Sequence, residues 1–188
     1  MNTDIEKLIS SNKDLMRILT IIDSLDLADC WLCAGTIRNF LWDLFSNQEV
    51  QEVKLITDVD VVFYDPLISY EETCLMEQKL IETYPDYDWE LKNQVYMHYH
   101  NPNTKEYLSS RDAISKFPEQ CTAIGATLNT FKEVELFMPY GAYDLTNFIV
   151  QPTPFFLEDT ERMKLYVERV TTKAWHKQWP CLEIMLPD

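Results

Sequence analysis

The chain has 188 residues, 46% of them apolar, and a net charge of −15 from 16 basic and 31 acidic side chains. That length and apolar share describe one domain with a sizeable core, and no run approaches the roughly 18 apolar residues that a membrane span requires. The negative charge would repel a long nucleic acid, whereas a small anion could be held wherever a metal ion or a local basic cluster offsets the field.

The start, MNTDIEKLISSNKD, is acidic and amphipathic, unlike a signal peptide, so a soluble, cytoplasmic protein without a membrane partner is expected. Apolar residues recur at helical spacing through residues 3–28 (Ile5, Leu8, Ile9, then Leu15, Ile18, Leu19, Ile22), with Asn12 suited to capping a second helix. CWLCAG reads as a short strand ending at Gly35. Its Cys30 and Cys33 sit in an apolar stretch with no second pair to complete a zinc site, and read as buried, inert thiols. The remaining cysteines, Cys74, Cys121 and Cys181, make an odd, scattered set that suits a reducing compartment.

TIRNFLWDLFS is a predicted helix and residues 46–55 a polar link. ITDVDVVFYD, residues 56–65, is a strand stopped by Pro66. SYEETCLMEQKLIETY is an amphipathic helix, and the alternating, aromatic-rich DWELKNQVYMHYH a strand. NPNTKEYLSS is a loop, and DAISKF a short helix with Ser110 or Asp112 near its cap. TAIGATL and VELFMPY suggest a hairpin. Residues 157–178 form a last charged helix, for which Trp175 and Trp179 supply packing. The order predicts an α+β domain, a mixed sheet with helices packed on it plus a C-terminal hairpin and helix.

Asp58 and Asp60 are the first candidates for chemistry. At i and i+2 of a strand their carboxylates share a face, and two hard oxygen ligands suit Mg²⁺. The spacing alone carries little: about five acidic pairs would fall at i, i+2 by chance, and six do. Context distinguishes this pair, because it opens a strand that otherwise looks buried. Gly35, one of only three glycines, lies at a strand-to-helix turn. Such a turn can cradle a phosphate on backbone N–H groups or simply allow close packing, and Arg38 could add charge there or be a surface or ion-pairing residue. Glu90, between Trp89 and Leu91, is either a third carboxylate beside the first two or part of a solvent-facing edge. His98-Tyr99-His100 lacks the partners a zinc site needs and suits a hydrogen-bonded core or pocket histidine.

Glycine turn, D-x-D strand and third acid together resemble the polymerase-β-like nucleotidyltransferase superfamily. Ala34-Gly35-Thr36-Ile37-Arg38-Asn39 is similar to the GGxIR entry of its tRNA-nucleotidyltransferase-type members, with Ala34 at the first glycine. A closer resemblance is to a bacterial family of compact nucleotidyltransferases, carried by WELKNQVYMH, DAISKFPEQCTAIG, DLTNFIVQPTP and WHKQWPCLEI. It spans residues 31–185. The resemblance implies a single nucleotidyltransferase-like domain over 1–188, with its core at about 30–150 and a helical extension at about 151–188. It implies transfer of NMP from an NTP to a hydroxyl acceptor, with pyrophosphate released. Asp58, Asp60 and Glu90 would be catalytic and bind Mg²⁺, or Mn²⁺ in its place. Gly35, Thr36 and Arg38 would contact the phosphates. Lys92, Asn93, Gln94 and His98 would line the pocket. The acceptor would be a small molecule, a protein or a short RNA. The alternative is a nucleotide- or metal-binding protein of weak or no activity that works through protein contacts.

Overall fold

A computed structural model describes residues 4–46 and 58–187. Two short helices open it, α1 (Ile5–Ser11) and α2 (Lys13–Asp23). The junction falls where the sequence places it: the Asn12 side chain accepts from Leu15 N–H and caps α2. Both helices turn Ile5, Ile9, Leu15, Ile18, Leu19 and Ile22 inward, each such side chain contributing about 1.5–3 kcal/mol on burial.

Strand β1 (Trp31–Cys33) leads through Ala34 into α3 (Gly35–Phe45). The predicted link at 46–55 and the first two residues of ITDVDVVFYD lie outside the described residues, save Ser46, which caps the end of α3. Strand β2 (Val59–Phe63) follows, then α4 (Tyr70–Thr83), opened by a capping box between Ser69 and Glu72, and strand β3 (Trp89–Asn93). The β2–α4–β3 unit is a parallel crossover; every other pairing in the main sheet is antiparallel, in the order β3-β2-β1-β4-β5. The last two strands, β4 (Gly125–Leu128) and β5 (Val134–Phe137), form the expected hairpin. It continues the sheet beside β1 rather than standing apart from it.

The sheet has two unequal faces. Leu32, Val59, Val61, Leu91 and Ala126 point into the main core beneath α1, α2 and α3. Trp31, Cys33 and Val62 point the other way, where Ile114 of α5 (Ser110–Ser115) covers them. Asp60 has the parity of Val62 and belongs to this second face. Gly125 sits closely there: a Cβ would lie 3.0 Å from Ile114 Cδ1 and 3.2 Å from the Trp31 ring, so one of them would have to give by a few tenths of an ångström.

Three sequence expectations change. The predicted strand at 88–100 stops at Asn93, whose buried side chain accepts from Val95 N–H and starts two consecutive 3-10 turns. The cap of α5 is Ser109, not Ser110 or Asp112. The helix predicted over 157–178 is in fact α7 (Pro154–Leu157) and α8 (Thr160–Lys173), separated by the Asp159 cap. Between β5 and α7 lie α6 (Tyr143–Thr146) and β6 (Ile149–Val150), and β6 pairs in parallel with β7 (Glu183–Ile184). Among the described residues, no helix is long and apolar enough to cross a membrane.

Candidate active site

The turn from β1 to α3 and the head of β2 come together at one end of the sheet. Asp60 pairs directly with Glu90 across the parallel β2–β3 register, which sets their backbones about 4.8 Å apart. Asp58 just precedes β2, exposed, and its carbonyl accepts from Thr36 Oγ1 at 3.1 Å. Three carboxylates thus share one neighbourhood. The Asp60 pKa is pushed up to about 6, chiefly by burial and then by the Glu90 and Asp58 charges; Arg38 and a Gly35 N–H bond pull the other way. The clustered negative charge is unfavourable by itself.

Gly35 is not at a crowded position. A Cβ there would make ordinary contacts, 3.8 Å from Arg38 Nη2 and 3.8 Å from Asp60 Oδ2. The conformationally demanding residue is Ala34, with φ 53 and ψ −120, a region L-residues enter at a cost of about 1–3 kcal/mol. That strain lets the chain turn sharply into α3, so that the positive end of the helix dipole faces Asp60. Gly35 then leaves the backbone beside Asp60 uncovered.

Arg38 is 3% exposed and is not a surface residue. Its guanidinium stacks over Trp42 and over Trp175, at 4.9 and 4.2 Å to the ring centroids. Its nitrogens are already engaged: Nη1 donates to Thr122 Oγ1, and Nε and Nη2 to Asn39 Oδ1. Asp58, Asp60, Gly35 and Arg38 line a cleft of about 280 Å³.

The opposite wall comes from the far end of the chain. Arg169 and Lys173 on α8, with Trp175 and Trp179 beyond it, line the same cleft. Ala174 ends α8 in the left-handed conformation, φ 47, which turns Trp175 back toward Trp42. Trp42 and Trp179 pack edge to face at 5.0 Å, and Trp179 Nε1 donates to Asp43 at 2.8 Å. The sequence suggests only packing for these tryptophans and does not mark Arg169 or Lys173. The signal was available in part, since two cations one helical turn apart share a face.

Other sequence-predicted residues lie elsewhere. The Thr36 hydroxyl is taken by Asp58. The Lys92 ammonium bonds Glu77 at 2.7 Å. Asn93 is buried and its amide holds the carbonyls of Asp65 and Ile68. Gln94 is buried against Lys92 O, and His98 packs between Tyr99 and Tyr107. None of these five side chains lines the cleft. Among the described residues, no three His, Cys, Asp or Glu side chains are gathered so as to hold a metal ion by themselves.

Cys33 is buried as the sequence suggests, whereas Cys30 is half-buried. All five are free; burial pushes Cys30 up to about 12 and Cys33 well above its ordinary value.

A helix opening on a strained turn beside a D-x-D strand in a mixed sheet defines the polymerase-β-like nucleotidyltransferase fold. The chain belongs to a nucleotidyltransferase family, whose profile matches residues 20–184. An NMR structure that reveals a CCA-adding enzyme head domain is 50% identical, with a TM-score of 0.91, and the match covers 100% of this chain and 97% of that one. An apo CCA-adding enzyme is 12% identical, with a TM-score of 0.52 over 97% of this chain and 42% of its own. The CTP complex of the Bacillus stearothermophilus CCA-adding enzyme is 14% identical, with a TM-score of 0.46 over 82% of this chain and 38% of its own. At 12% identity the likeness to the apo enzyme is one of fold. No curated protein matches. The protein is a nucleotidyltransferase.

Proposed function

We propose that the chain transfers NMP from an NTP to an acceptor hydroxyl with the help of Mg²⁺, or Mn²⁺ in its place, and that Asp58, Asp60 and Glu90 are the acids that carry the reaction. The observation behind this reading is the Asp60 carboxyl, held among two like charges and raised to about 6. A bound cation would relieve that repulsion. The donor set fits: Mg²⁺ is commonly held by one or two carboxylates, with water and substrate phosphates completing the shell, so a ready-made three-donor cage is not needed. What the cation supplies when bound is neutralisation of the triphosphate and a lower pKa for the attacking hydroxyl.

The chain's own groups do the rest. Asp58 and Asp60 hold the cation side of the cleft, and Glu90 lies beside them to draw the acceptor proton. Gly35 N–H is held by Asp60, and the following N–H groups of the α3 N-terminus offer donors to phosphate oxygens. Arg38, fixed between Trp42 and Trp175, adds positive potential without having to move. Pyrophosphate leaves as the acceptor oxygen bonds to the α-phosphorus. The acceptor is a small molecule, a protein or a short RNA end; the charge of −15 disfavours a long nucleic acid. The 151–188 extension belongs to the same single domain, since it completes the cleft.

The test is a panel of the four NTPs with Mg²⁺ or Mn²⁺, read by calorimetry and by pyrophosphate release, with D58A and D60A as controls. Metal-dependent NTP binding that both variants abolish supports the assignment. No binding by the wild type, or variants that bind metal like the wild type, would overturn it. Binding without pyrophosphate release under any acceptor would favour the non-catalytic reading, for which the strained Ala34 in place of a glycine is the one supporting observation.

A further inference from the structure

The cleft holds three cations, and they are not equivalent. Arg38 is spent on Asn39 and Thr122. Arg169 is held only by its Nε, which donates to Glu119 Oε1 at 2.7 Å. Among the described residues neither of its Nη groups has a hydrogen-bond partner. Lys173, one turn further along α8, is likewise unpaired among them, and it lines the same cleft.

Glu119 makes this arrangement unusual. Its side chain is 0% exposed, and its second oxygen, Oε2, has no partner. A buried ion pair rarely outperforms an apolar pair of the same volume for stability, and this one leaves Glu119 Oε2 buried and unsatisfied while the Arg169 Nη groups reach the cleft. It is poorly arranged as a staple. It is well arranged to fix a guanidinium by its stem while its two terminal nitrogens stay free. Glu119 stands in the segment before β4 that also supplies Thr122, the partner of Arg38, so one buttress sets both arginines. Trp175 lies between them, 4.2 Å from the Arg38 guanidinium and 5.8 Å from that of Arg169.

Building on the nucleotidyltransfer reading above, we propose that Arg169 contacts the terminal phosphates of the incoming nucleotide and makes the site prefer a triphosphate to a monophosphate, with Glu119 as its positioning residue. The acidic wall at Asp58 and Asp60 accepts phosphate only through a cation. The Arg169 wall accepts it directly, as a planar fork suited to two phosphate oxygens. Lys173 adds a second charge to that wall, although its place in the last turn of α8 also suits the helix dipole.

The full chain is titrated with inorganic tripolyphosphate, then with the NTP that binds best and its NMP, following tryptophan fluorescence. R169Q is expected to weaken tripolyphosphate and NTP binding about tenfold and to leave NMP affinity within about twofold. R169Q strands a buried carboxylate, so E119Q/R169Q, whose two amides can keep the bond, is carried as a folded partner and is expected to show the same loss. E119Q alone is expected to change the NTP-to-NMP affinity ratio in the wild-type background and not in the R169Q background. A merely structural Glu119 would shift melting and leave that ratio alone. Folded variants that bind NTP like the wild type, or that lose NMP and NTP equally, overturn the role of Arg169 while nucleotidyl transfer stands. A wild type that binds neither tripolyphosphate nor any NTP overturns both.

Discussion

Asp60→Asn tests the physical claim on which the site rests. With its carboxyl raised from 3.8 to about 6, Asp60 ionises in the folded protein less readily than in the unfolded chain. The folded state therefore binds the proton first, and stability falls as the pH climbs from about 4 to about 6, with the loss complete above that window. A shift of about two units corresponds to at most about 3 kcal/mol, and solvent at the cleft mouth reduces this to about 1–2 kcal/mol. Asn carries no charge and can still accept from the Gly35 N–H. In EDTA at pH 7.5, D60N is expected to melt about 2–8 °C above the wild type, at about 2–4 °C per kcal/mol for a chain of this size. By pH 5 the advantage is expected to shrink by about half. Millimolar Mg²⁺ raises the wild-type melting point by mass action and leaves D60N where it was. Thermal melts by circular dichroism at the two pH values decide the matter. A D60N that melts at or below the wild type at pH 7.5, or whose advantage is the same at pH 5, refutes the reasoning.

Ala34→Val places a β-branched residue at φ 53 and is expected to cost at least about 2 kcal/mol, read as a lower urea midpoint; an unchanged midpoint means the turn is not strained. Asn93→Ala removes the partner of two carbonyls and is expected to cost about 2–3 kcal/mol without changing NTP affinity, whereas an NTP-specific loss on titration would return Asn93 to the pocket. Under native conditions at pH 8, an alkylating reagent is expected to modify exposed Cys74 and Cys181 and spare Cys30, Cys33 and Cys121, with all five modified in denaturant. Mass spectrometry of labelled peptides reads this directly, and rapid native labelling of buried Cys33, or of half-buried Cys30 with its raised pKa, would contradict the argument.

Much of the fold is legible locally. Asn12 caps α2 because an amide oxygen there can reach Leu15 N–H, and that needs only neighbours in sequence. The parity of Val59, Asp60 and Val61 follows from the pleat, and it places valines in the core and the carboxylate on the other face. The rare glycine marks the turn, although the strain falls one residue earlier. What the sequence hides is set by contacts far along the chain. Arg38 looks like a surface cation until Trp175 covers it. Trp179 looks like helix packing until Asp43, 136 residues away, is seen to bind it. Lys92 and Asn93 lie in a motif-like run, but Glu77 and the 65–68 turn claim their side chains. Beyond Asn93 the aromatic alternation mimics a strand, while the Asn93 side chain turns the backbone into 3-10 turns.

The Trp179–Asp43 bond also has a kinetic meaning. N-terminal segments are made first, and β1, α3 and the carboxylates of β2 can assemble while α8 is still being synthesised. The basic and aromatic wall cannot close until more than 130 residues of intervening chain have been laid down, and loops of that length close late. A nascent chain short of Trp175 therefore presents the acidic half of its cleft alone. The wall that carries Arg169 and Lys173 is thus added to the cleft after the wall that carries Asp58 and Asp60.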